Sequence, residues 1–179
     1  VLVFDQQISN YSKIYFINTN VIRTKNYNDA NVTGTGFTLA DKKNKFAVDG
    51  SFALSQQLLK NDSLPNQFNN TLGYKYFLGA RKISGNYQYG ISRSMINDTY
   101  NQLDLGYYSI SNYQNTRGYF TYFWFKPWKG FREGNINLSA DYSQNPITKK
   151  RTLFQLNFDV FANLLSYNQV YFGVGYIPV

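Results

Sequence analysis

Any proton transfer or nucleophilic attack by this chain would fall to Asp, Ser, Lys and Tyr. Its 179 residues include no His and no Cys. Imidazole acid–base catalysis, thiolate chemistry, disulfides and His- or Cys-based metal sites are thereby excluded. Glu133 is the single glutamate, so a hydrolytic carboxylate pair would need aspartates, and these are scattered. No Gly-x-Ser-x-Gly segment supplies a serine elbow. Asp98 and Asp104 share a long loop, 97–114, and could hold a cation or a sugar hydroxyl; capping of the loop backbone is the plainer use of such residues. Asp49, Lys75, Arg81, Asp141 and Asp159 lie in stretches of alternating polarity, where charges either line a selective pore or pair with one another inside a plugged barrel. Trp124 and Trp128 could stack on sugar rings, but as interfacial girdle residues they need no ligand. Lys149, Lys150 and Arg151 either meet lipopolysaccharide phosphates or face water. No catalytic residue, metal ligand or cofactor site is assigned.

The elements that must position these groups are strands. Aromatic residues make up 19% of the chain, with 17 Tyr and 15 Phe, while only 16% of residues are charged. Rings favour pleated, half-buried surfaces and membrane interfaces, and a usual charged fraction is ~25%. No run of about 18 apolar residues predicts a transmembrane helix, so a membrane assignment rests on strands. The net charge is +8. Its basic residues gather at turns, which suits solvated turns or anionic headgroups and argues against nucleic acid, since they form no continuous stripe.

Period-two alternation dominates. Phe46, Val48, Gly50, Phe52 and Leu54 alternate with Ala47, Asp49, Ser51, Ala53 and Ser55. Similar alternation runs through 70–81, 85–96, 133–144, 152–163 and 169–177. It predicts ten strands, at 1–8, 12–24, 31–41, 45–57, 70–81, 85–96, 115–126, 133–144, 152–163 and 169–177. Several exceed the ~5–6 residues of ordinary strands and approach the ~9–11 that cross a bilayer at a tilt. Connections alternate between short (9–11, 42–44, 82–84, 127–132, 164–168) and mostly longer (25–30, 58–69, 97–114, 145–151), the pattern of outer-membrane barrels. Asp41-Lys42-Lys43-Asn44, Ser84-Gly85 and Pro127-Trp128-Lys129-Gly130 carry turn chemistry. The pleat places Phe52, Leu54, Tyr76, Leu78, Leu138, Leu156, Phe158 and Phe172 on the lipid side, and Ser51, Lys75, Gln88, Asn137 and Asn157 inward.

The expected fold is all-β: a transmembrane antiparallel up-and-down β-barrel, with residues 1–179 forming one partial barrel domain without an internal boundary. Strand parity, with short turns periplasmic, puts the end of the tenth strand outside. A complete even-stranded barrel has both termini on the periplasmic side, so this chain is expected to be part of a larger barrel.

Two blocks resemble a family. One is Asn31-Val32-Thr33-Gly34, Asp41-Lys42-Lys43-Asn44-Lys45 and Gly50-Ser51-Phe52-Ala53-Leu54-Ser55. The other is Asn97-Asp98-Thr99-Tyr100 with Asp104-Leu105-Gly106-Tyr107. They are similar to Bacteroidota outer-membrane barrels of unknown function, whose members carry an N-terminal domain resembling family-nine carbohydrate-binding modules. Where that family has Asn-Pro before Asp-Leu-Gly, this chain has Gln102-Leu103, and Gly36 stands where an acidic residue is common. The resemblance implies an outer-membrane location, contact with outer-membrane lipid, lipopolysaccharide and other envelope proteins, and a link to glycan handling. The expected function is a non-catalytic barrel acting as a transport path, an anchor or a subunit of an envelope complex. The rivals are an outer-membrane hydrolase and a soluble lipid-binding β-barrel of the lipocalin type.

Overall fold

The computed structural model describes residues 1–23, 29–60, 68–101 and 111–178. They form one all-β unit without a helix. The strands are β1 (Leu2–Ser9), β2 (Ser12–Val21), β3 (Asp29–Ala40), β4 (Phe46–Lys60), β5 (Phe68–Lys82), β6 (Tyr87–Ile96), β7 (Tyr113–Trp124), β8 (Phe131–Gln144), β9 (Arg151–Leu164) and β10 (Gln169–Tyr176). Each pairs antiparallel with its sequence neighbours, giving a single up-and-down sheet in the order β1 to β10. The sheet is not closed: β1 and β10 are its edges. All ten expected strands are present, with ends shifted by a few residues.

Turn chemistry explains where strands reverse. Asp41 accepts backbone N–H groups from Lys43, Lys45 and Phe46, and Asn44 takes a positive φ of 50°. The β7–β8 connection differs from expectation. Pro127 precedes the tight turn, whose centre is Lys129-Gly130 at φ of 43° and 90°. Trp128 and Phe131 exchange both backbone bonds across it. Two successive positive φ values match the twist of flanking strands. The 145–150 connection is compact, closed by the Asn145 side chain accepting from Ile147 and Thr148 N–H at 2.9 Å. It is therefore no longer than 125–130, and the contrast of short and long connections is carried by the other loops, chiefly 97–112.

Register divides the residues between two faces. Phe52 lies opposite Tyr76, Leu138 opposite Phe158, and Val160 opposite Phe172. This apolar face lies open: Leu78 is 54% exposed and Phe172 57%. The buried apolar residues among those described are only Ala47, Ala53, Tyr100 and Ala162. Among the described residues, no second sheet or helix packs on the apolar face.

The apolar face ends in polar groups toward the longer loops. Asn18 donates to Thr33 at 2.7 Å and clusters with Asn20 and Asn31. On β6–β8, Gln144 Nε2 lies 2.9 Å from Gln114 Oε1; turned so that its oxygen faces Arg93, the Gln114 amide accepts from Arg93 Nε at 2.8 Å. Between these polar ends and the short turns, β4 presents Phe46, Val48, Gly50, Phe52 and Leu54. That stretch spans about 27 Å along the strand.

Candidate functional site

The polar face carries the chemistry, and Asp49, Arg81, Asp141 and Asp159 are engaged with partners there. Asp49 on β4 accepts from Arg81 on β5 at 2.8 and 3.1 Å, and from the Thr38 hydroxyl at 3.0 Å. The two side chains are diagonal neighbours in the ladder, since Arg81 pairs with Ala47, a separation that long side chains bridge. Asp141 lies 3.9 Å from Arg117, directly across β7–β8. Asp159 accepts from the Tyr171 hydroxyl at 2.8 Å and from Asn137 at 3.3 Å, and Asn137 in turn accepts from Thr121 at 2.8 Å. That chain of groups crosses four strands, β7 to β10. Five of the residues singled out in the sequence thus share one face: Asp49, Lys75, Arg81, Asp141 and Asp159. The sequence reading missed Arg117, Thr38 and Tyr171, each of which lies on this face at a position fixed by the ladder.

Around Asp49 and Arg81 the face is hollowed by about 400 Å³, with Phe77, Gly79, Ser92 and Tyr119 in its lining. The Tyr119 ring covers Gly90, where a Cβ would approach it to 2.8 Å, and the Phe77 ring lies against Gly79, at 3.1 Å from such a Cβ. Glycine lets these rings lie close to the wall. The hollow therefore offers ring surfaces beside a donor–acceptor pair, an arrangement suited to polar solutes that also present apolar surface.

The second feature is the segment after β6, which folds back over this same face. Asn97 extends the ladder, donating its N–H to Tyr74 O at 3.0 Å and accepting from Tyr74 N–H at 2.8 Å through its side chain. The Thr99 hydroxyl donates to Leu72 O at 2.6 Å, and Asn101 N–H donates to the Ser55 hydroxyl at 2.9 Å. Tyr100 is only 4% exposed, and Lys75 Nζ stands 5.0 Å from its ring centroid. Burial raises the Tyr100 phenol above its ordinary value. The position exists because β5 has Gly73 there: a Cβ on Gly73 would collide with the backbone of Thr99 and Tyr100. Gly73 lies opposite Ser55, and that small pair makes the depression. The sequence carried one signal of it, the Gly73 within an otherwise regular strand.

The remaining candidates separate from this site. Asp98 is exposed at the turn of the folded-back segment; Asp104 lies outside the described residues, as do Leu105 to Tyr107 of the second resembling block. No group of three or more metal-ligating side chains occurs among the described residues. Phe52, Tyr76, Phe158, Phe172 and Trp124 lie on the apolar face, and Trp128 stands in the β7–β8 turn. Among the described residues, Asp49, Asp141 and Asp159 are each held by a cation or a hydrogen-bond donor.

Among known families, the model described as "Domain of unknown function (DUF5916)" matches residues 1–179. No curated protein and no solved structure matches the chain.

Proposed function

The chain belongs to that family, a domain of unknown function that covers its whole length; from the two faces of its sheet we propose that it forms part of the wall of a transmembrane β-barrel in a bacterial outer membrane and serves as a path for polar solutes. The observation that carries the reading is the open apolar face set against a polar face on which Asp49, Asp141 and Asp159 are each matched by a cation or a donor. Lipid covers the first without further protein, and water fills the second. The polar termination of the apolar face near the longer loops marks the edge of the lipid-covered band. The hollow at Asp49 and Arg81 and the segment at Tyr100 then lie inside, where they narrow the path and set what passes. Both sheet edges must be paired in lipid, where an unsatisfied backbone group costs several kcal/mol, so further strands close the barrel beside β1 and β10. The resemblance to Bacteroidota outer-membrane barrels with a carbohydrate-binding-like domain directs the choice of solute toward glycans.

Spin labels on single cysteines test the reading directly, because the chain has no Cys of its own. In the full-length protein in lipid vesicles, labels at Phe52→Cys and Leu54→Cys are expected to be accessible to dissolved oxygen. Labels at Ser51→Cys and Gln88→Cys are expected to meet a water-soluble nickel complex. Accessibility without a period of two, or water-soluble relaxation equal on both faces, overturns the membrane reading.

A further inference from the structure

Where the β7–β8 connection leaves the sheet, it curls over the apolar face. It roofs a groove of about 860 Å³, within the ~300–1,000 Å³ range of ligand sites. The floor consists of two ladder rows, Tyr122–Ile136–Val160 and Trp124–Gly134–Ala162. Gly134 admits the Trp124 ring, which covers the place of a Cβ. The roof is Phe125 to Trp128, with Lys126 at the lip. Lys129, at the head of the turn, lies 5.1 Å from the Trp128 ring centroid. Neither lysine has a carboxylate partner among the described residues; the nearby Glu133 pairs instead with Arg132 at 3.3 Å and accepts from Asn163.

We propose that this groove is a binding site for one anionic glycerophospholipid, an acyl chain lying on the aromatic and aliphatic floor and the phosphate held by Lys126 and Lys129. The proposal rests on the membrane reading above and adds a headgroup preference to it. The chemistry of the groove matches that occupant from end to end. Its floor is apolar and its lip is cationic, and the lip lies at the short-turn end, where the headgroups of one leaflet would begin. A polypeptide partner would leave the two ammonium groups to be matched by carboxylates and would have to displace lipid from the floor. A phospholipid already in the leaflet satisfies both without that displacement. The site fixes the depth of this wall in the bilayer and ties it to the leaflet that meets the short turns.

The groove contains its own reporters, since Trp124 and Trp128 are the only tryptophans of the chain and both line it. The full-length protein is reconstituted in phosphatidylcholine vesicles carrying a small fraction of brominated phosphatidylglycerol or, separately, the same fraction of brominated phosphatidylcholine. The signal is assigned by the Trp124→Phe and Trp128→Phe variants. Quenching by the anionic lipid is expected to correspond to a relative binding constant roughly tenfold to thirtyfold higher, on the basis of ~1 kcal/mol for each lysine. The Lys126→Gln/Lys129→Gln variant is expected to lose the preference while both lipids still quench. Equal quenching by the two lipids, or a preference unchanged in the lysine variant, overturns the phospholipid site and leaves the membrane reading standing. Tryptophans quenched by neither lipid overturn both.

Discussion

The two faces of this sheet are built from alternate residues of the same strands, yet they solve opposite problems. On the polar face, each carboxylate singled out has a cation or donor within reach, and a returning segment is hydrogen-bonded into place. On the apolar face, side chains such as Leu78 and Phe172 remain more than half exposed and depend on their surroundings. One face is specified by partners within the chain, the other by a medium. A substitution should therefore act through contacts on the polar face and through transfer energy on the apolar one.

The largest break in that comparison comes from one charge placed on each face. Leu156 and Asn157 are adjacent on β9 and pair with Ala140 and Ser139 on opposite faces of β8. In lipid, Leu156→Arg is expected to destabilise by about 2–4 kcal/mol if it lies near the midplane, whereas Asn157→Arg costs well under that. Denaturant titrations in lipid vesicles compare the two. Equal losses would mean that the faces do not see different media.

Glycines give a second contrast. A Cβ at Gly73 runs into the Thr99–Tyr100 backbone, while at Gly118 the nearest atom, Gly90 O, is 4.0 Å away. Gly73→Ala is expected to cost about 1–3 kcal/mol through overpacking and to release the Asn101 amide to hydrogen exchange. Gly118→Ala, which faces open space in a strand, is expected to stabilise by roughly 0.5–1 kcal/mol. A Gly73→Ala protein with Asn101 as protected as before would show that the segment is held without the depression.

How much of this was legible in the sequence follows from how local each signal is. Alternation at 46–55 is a property of consecutive residues, and it located β4 within a few positions. The face of Asp49 or Asp159 follows from the same count. The partners do not, because Arg117 meets Asp141 only through the β7–β8 register, which the turn at Lys129-Gly130 sets. Reading Pro127 as part of the turn's core missed that centre, since Lys129 is not a residue expected at positive φ. The return of Thr99 and Tyr100 was less visible still. It depends on an absent side chain at Gly73 and a hydroxyl at Ser55, two strands that the segment reaches only after folding.

A smaller effect separates the two ion pairs of the polar face. Asp49–Arg81 makes two short contacts, while Asp141–Arg117 is a single approach at 3.9 Å. Both arginine side chains are about half exposed, so water and salt screen them. Double-mutant cycles with alanine are expected to give a coupling of at most ~1 kcal/mol for the first pair and about 0.2 kcal/mol or less for the second. Raising the salt should shrink the first. A larger coupling for the second pair would mean that the polar face is drier than its exposure suggests.

The smallest effect concerns the device that keeps the two faces distinct. A slip of one residue between β3 and β4 would exchange their faces, and the Asp41 turn fixes their register from Ala40–Ala47 onward. The N–H of Phe46 foremost, with those of Lys45 and Lys43, lowers the Asp41 carboxyl below its usual 3.8. A carboxylate depressed in the folded state contributes stability that is present above its unfolded pKa and is lost as pH falls through the lower folded value. The Phe46 amide shift is therefore expected to titrate with a midpoint below 3.8, with the turn intact at neutral pH and loosened only beneath that midpoint. Asp41→Ala should loosen the turn at neutral pH, with faster amide exchange at Lys45 and Phe46. Asp41→Asn, which retains an acceptor oxygen, should fall between and show no titration. A Phe46 amide that titrates at or above the unperturbed value would show that the carboxylate is not held by these N–H groups, and the register would then rest on the cross-strand pairs alone.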